Sequence, residues 1–137
     1  MARRIIQTCK TNNPFEIADM YNINIFEKPL PSHIGGFYTE IFGYAYIVIN
    51  SLKLREWRKA ICAHELGHAL LHNQEHTFIA MNDFATESKL EKEANMFAAK
   101  LLIGDEKPLE GESIYEFAKR VQVPVEFIMH LKKEEFM

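Results

Sequence analysis

Phe15, Ala18 and Tyr21 recur at intervals of three, which places them on one face of a short helix. Asn13 suits its cap, Pro14 its first turn, and Glu16 its third position, near the positive end of the helix dipole. At Ile23, Ile25 and Phe26 the pattern becomes extended, and Pro29 and Pro31, which cannot donate to a sheet ladder, end that strand. Gly35 and Gly36 open a second extended run, Phe37 to Phe42. Gly43 turns it into Tyr44 to Asn50, a run rich in aromatic and β-branched residues, so the two predict an antiparallel hairpin. Helical spacing returns over 54–73 and again over 86–102, where Gly104 supplies a stop. Ser113 and Glu116 have the spacing of a capping box for a third helix. Val123-Pro124 then breaks the chain before a last helix through Phe127, Ile128 and Leu131. Helix, small sheet, then helices predict an α+β domain, a small antiparallel sheet packed on a helical core. No repeat or Gly/Ser-rich linker divides the chain, so residues 1–104 read as the core and 105–137 as a helical extension packed on the same domain.

With 137 residues, 47% apolar and 26% charged, the chain has material for one core and not two. A core of that size folds without disulfides or a structural metal, so any metal is expected to be functional. Cys9 and Cys62 stand apart and in no C-x-x-C spacing, which fits a reducing cytoplasm. The net charge of −3 excludes a general electrostatic grip on nucleic acid or anionic membrane, although residues 1–13 alone carry +3. No apolar run long enough for a signal peptide or a membrane span follows that basic start, so the expected location is the cytoplasm. The spacing Phe117-Ala118-x-x-Val121-x-Val123-Pro124-x-x-Phe127 mimics a helix-turn-helix. Residues 105–137 nevertheless carry a net charge of −3, which opposes phosphate contacts and favours packing or partner docking.

The chemistry concentrates in His64-Glu65-Leu66-Gly67-His68, inside the helix predicted over 54–73. At roughly 100° per residue, His68 lies about 40° round from His64 and one turn along, so both imidazoles reach one ion. Glu65 falls beside them, about 60° from His68, where a carboxylate can take a proton from water next to the ion. Trp57, Ile61 and Leu71 share the face of the histidines, which puts the pair against the core rather than on a solvated surface. Gly67, a poor helix former, predicts a close approach by backbone or substrate.

A catalytic zinc takes three protein ligands and leaves a position open. The next helix offers Glu91 and Glu93, on opposite flanks of a stripe formed by Leu90, Ala94, Phe97, Ala98 and Leu101, and periodicity does not choose between them. His72 projects within about 20° of Glu65, one to two turns on, where it can assist catalysis from behind the ligands. His33, His76 and His130 read as surface groups and Cys62 as a small core residue. Phe37 to Phe42 could serve as an edge strand that holds an extended peptide across the metal, with Tyr38 reaching in.

The segment His-Glu-Leu-Gly-His-Ala-Leu-Leu-His at 64–72, preceded by Ile47-Val48-Ile49-Asn50-Ser51, resembles the ImmA/IrrE family of metallopeptidases. So does the later run Glu91-x-Glu93-Ala94-Asn95-x-Phe97-Ala98-Ala99-x-Leu101-Leu102. The likeness runs from about Asn13 to Leu102 and includes Gly36-Phe37-Tyr38. It implies a zincin-like, thermolysin-type zinc site in which the glutamate before Ala-Asn, here Glu93, joins His64 and His68. For many members it also implies cleavage or inactivation of a helix-turn-helix repressor of a phage or mobile element. Many members continue Leu-Leu-Met-Pro where this chain has Leu101-Leu102-Ile103-Gly104, and many carry a fused helix-turn-helix domain. Its absence here makes the expected DNA-binding partner a separate protein. The competing class is a metal-containing binding module that sequesters a repressor intact. A deformylase-like hydrolase, which also uses H-E-x-x-H, requires a cysteine ligand in a motif that neither Cys9 nor Cys62 occupies.

Overall fold

A computed structural model describes residues 1–72, 78–82 and 89–131, the side chains of 72 and of 78–82 excepted. Its elements run α1 (Ala2–Cys9), α2 (Pro14–Met20), β1 (Ile23–Lys28), β2 (Ile34–Ile41), β3 (Tyr44–Asn50), α3 (Arg55–His72), β4 (Phe78–Asn82), α4 (Lys89–Ile103), α5 (Ile114–Val121) and α6 (Val125–Ile128). The α+β class expected from the element order is what the chain adopts. Several local signals act as read: Asn13 accepts from the Phe15 amide to cap α2, and Ser113 and Glu116 form a reciprocal capping box on α5.

The sheet departs from expectation in two ways. Among the described residues it has four strands in the order β1-β3-β2-β4, and it is mixed rather than antiparallel, because β1 lies parallel to β3 with Ile25 opposite Ile47. The chain leaving β1 passes over the end of β3 to start β2 on the far side, and that crossing is built around one buried side chain. Asn50, at the end of β3, accepts from the amides of Leu30 and Leu52 and donates to the carbonyls of Leu30, Pro31 and Ile34. Pro29 and Pro31 remove two amide donors from the crossover, and one amide side chain satisfies backbone that would otherwise be orphaned. Asn50→Ala should therefore cost about 3 kcal/mol, measured by urea unfolding, because it strands several buried polar groups at once.

The second departure concerns the strand expected to hold a peptide. β2 is interior, paired with β3 on one side and with β4 on the other, so it has no open edge for an extended ligand. A peptide added to this sheet would have to pair with β1 or β4.

Helix α3 lies across β2 and β3, and α4 and α1 close the other side of the core. The contact between α3 and β2 is tight at Gly36, where an added Cβ would stand 2.6 Å from the Val48 carbonyl oxygen and 2.8 Å from Ile61 Cγ2. The basic start of the chain is the amphipathic helix α1, which buries Ala2, Ile5 and Cys9 and leaves Arg3, Arg4 and Lys10 exposed. No helix among the described residues is long and apolar enough to cross a membrane.

The residues after α4 lie on this same core, with Phe117, Ala118, Val123, Phe127, Ile128 and Leu131 all buried. Their approach is fastened by Arg120, which donates to Glu112, to Glu106 and to the Lys107 carbonyl. The Arg120 guanidinium, with the Leu109 amide, holds the Glu112 carboxyl below its usual range.

Candidate metal centre

Helix α3 carries His64, Glu65 and His68 inward: they are 1%, 0% and 0% exposed, so three ionisable groups sit in the core with no access to water from α3 itself. That arrangement is costly unless something compensates it. The histidine rings stand edge to face, 4.8 Å between centroids.

Helix α4 supplies a carboxylate, and it comes from Glu91. Its Oε2 contacts His68 Nε2 and lies 3.5 Å from His64 Nε2. One donor atom from each of His64, His68 and Glu91 lies within 4.8 Å of the other two. The structure thus brings Glu91, and not the Glu93 that the family likeness implied, to the two histidines. Glu91 starts the spacing i, i+3, i+4, i+7 with Ala94, Asn95 and Ala98, all buried against α3. Glu93 is turned about 100° away from Ala94 and lines a depression with Met1, Ala2, Leu71, Lys89 and Lys100.

Glycine 67 brings the helices close enough. A Cβ there would meet Phe97 Cδ1 at 3.1 Å and Ala94 Cα at 3.2 Å, so the close approach expected at Gly67 is by the backbone of α4. Gly67→Val should push α4 outward, costing about 1–3 kcal/mol and carrying Glu91 off the histidines. Thermal melting without metal and zinc affinity should both fall. A variant that melts lower with unchanged affinity would separate the helix spacing from the ligand geometry.

Electrostatics divide the two carboxylates. Burial, and then the charge of Glu91, push the Glu65 carboxyl well above its ordinary value. Burial acts on Glu91 in the same direction, but the imidazoles of His64 and His68 more than offset it and hold the group at about 2. The surroundings thus favour the charged form of Glu91 and the protonated form of Glu65.

The donor set fits a divalent metal. Both ring nitrogens of His64 and both carboxylate oxygens of Glu65 are buried without a hydrogen-bond partner among the described residues. Two imidazoles and one carboxylate form the ligand set of a catalytic zinc with a position left open.

The other candidates fall elsewhere. The backbone of His72 ends α3, but its side chain lies outside the described residues, as does all of His76. Tyr38 is buried in β2, where its hydroxyl donates to Glu40 and is pushed up to about 12 by burial and by that carboxylate. His33 and His130 are half-buried rather than surface groups, and Cys62 is a core residue as expected. Trp57 does not join the core, being 37% exposed. It lines a groove of about 760 Å³ between the first half of α3 and α5–α6, together with Ile61, Tyr115, Val123 and Phe127.

Comparison with known proteins adds to this geometry. The profile of the IrrE N-terminal-like domain, a peptidase family, matches residues 18–131, which takes in both helices of the metal centre and α5–α6. Immunity region protein 2 of Bacillus phage phi105 is 42% identical over 104 residues, 75% of this chain and 66% of that protein. Metallopeptidase ImmA of Bacillus subtilis (strain 168) is 32% identical over 102 residues, 74% of this chain and 60% of that protein. The matched region thus spans less than two thirds of the length of either relative.

Proposed function

The chain belongs to the IrrE N-terminal-like family of metallopeptidases, and from that premise we propose that it is a zinc-dependent, site-specific endopeptidase acting on a helix-turn-helix repressor of a phage or mobile element. The observation that carries the reading is the convergence of His64, His68 and Glu91 around one point, with Glu65 buried beside them.

His64 and His68 would offer Nε2 and Glu91 would offer Oε2, a thermolysin-like set. Zinc bound there supplies Lewis-acid polarisation of the peptide carbonyl and a nucleophile at neutral pH. Glu65 takes the proton released as water adds to the carbonyl carbon and returns it to the amide nitrogen as the C–N bond breaks. Its full burial beside the ligand set keeps bulk water from the carboxyl. Selection of one protein substrate falls to surfaces outside the ligand set, because a small pocket rarely discriminates that far. The immunity-region name of the phage relative and the metallopeptidase name of the bacterial one favour a regulatory substrate.

The test is to load the purified chain with zinc, measure its metal content, incubate it with a candidate repressor and weigh the products. Two fragments whose masses sum to the repressor plus one water, formed with metal and lost on chelation, are expected. A repressor that stays intact in a stable complex with the metal-loaded chain would replace peptidase with sequestration, and an intact, unbound repressor would remove it as a substrate.

A further inference from the structure

A histidine that ligates a metal through one nitrogen is ordinarily oriented by a hydrogen bond at the other, to a carboxylate or a backbone carbonyl. His64 has no such bond among the described residues: its Nε2 faces Glu91 at 3.5 Å, and its buried Nδ1 has no hydrogen-bond partner. What flanks the ring is aromatic. Phe127, from α6, stacks on His64 with centroids 5.7 Å apart and planes 29° from parallel, while His68 meets it edge-on. Phe127 and His64 are 4% and 1% exposed, so the stack is a fixed contact of the interior. Helix α6 packs on α4, the helix that supplies Glu91, so the placements of Phe127 and of the carboxylate share one support.

We propose that Phe127 is a positioning residue of the metal centre: the α6 ring holds the His64 imidazole by stacking, in the place of the usual hydrogen bond at Nδ1. The inference rests on the reading of His64, His68 and Glu91 as metal ligands. It gives the segment after α4 a part in metal binding, although that segment contributes no ligand. The stacked face restricts rotation about the Cβ–Cγ bond of His64, and losing it frees the ring to turn away from His68 and Glu91. Offset aromatic contacts of this kind contribute beyond simple burial.

Zinc affinity measured against a chromogenic chelator, and the visible spectrum of the cobalt-substituted protein, read this directly. Phe127→Leu keeps apolar bulk and removes the ring. It should weaken zinc by about 10- to 100-fold, the range found when support behind a ligand is lost, and should change the cobalt bands. Phe127→Tyr keeps the ring and should retain both properties. Ile128→Val, which trims the core at the neighbouring position of α6, should lower the melting temperature of the metal-free protein without moving either. Should the leucine variant not fold, Phe127→Met takes its place with the same expectation. Wild-type affinity and spectrum in the ring-deleted variant would overturn the proposal, and so would equal loss in Phe127→Tyr or in Ile128→Val. A wild-type chain that binds no zinc or cobalt would instead overturn the ligand assignment on which it rests.

Discussion

Replacing Glu65 by glutamine is expected to leave one equivalent of zinc bound and to slow cleavage by about 10²- to 10⁴-fold, the contribution of a positioned proton-transfer group. Glutamine matches glutamate in shape, so it should fit the fully buried site and leave His64 and His68 where they are. It carries no carboxylate to accept a proton, and the step most affected is therefore the chemical one. Binding of intact substrate should persist, with kcat falling and KM nearly unchanged. Metal-free Glu65→Gln should also melt no lower than the metal-free parent, because a buried carboxyl that burial disfavours in its charged form is replaced by a neutral amide. Undiminished cleavage by a metal-loaded Glu65→Gln chain would refute the proton-transfer role.

A comparable effect separates the two glutamates of α4. Glu91→Gln should lower zinc affinity by more than the roughly 100-fold that marks loss of mere support, since it removes the anionic ligand itself. Cleavage should disappear at limiting zinc. Glu93→Gln should keep both, because that side chain lies on the α1 side of α4, among Met1, Ala2 and Lys89. The reverse pattern, with metal lost in Glu93→Gln and kept in Glu91→Gln, would restore the assignment that the family likeness suggested. Isothermal titration of the two variants side by side decides it.

The contrast between these positions shows what a sequence carries and what it withholds. The His64 and His68 pair is local: one turn of one helix, fixed by 3.6 residues per turn, and so legible in five letters. Helix α2, the β2–β3 hairpin, α3 and the Ser113 capping box are local in the same sense. The choice between Glu91 and Glu93 depends instead on which face of α4 meets α3, and that is set by the fit of Gly67 against Ala94. The small residues Ala94 and Ala98, continuing the spacing from Glu91, were the available signal. The parallel placement of β1 was illegible for the same reason, since Asn50 must first gather the crossover through four backbone groups 16 to 20 residues away in sequence. Strand β4 follows a stretch with no turn marker strong enough to announce it, and α1 begins without a side-chain cap. The role of Phe127 lies further off still, because helical spacing marks it only as a core position.

The chain has a single tryptophan, and Trp57 stands in the groove wall that α3 shares with α5–α6. At 37% exposure its indole is partly screened by those helices, so its emission is an optical gauge of whether they are seated. A red shift on unseating would be seen without any label. Absorbance of cobalt reports the ligands, and indole fluorescence reports the helix behind them, so one cuvette can record both and tell which yields first on heating.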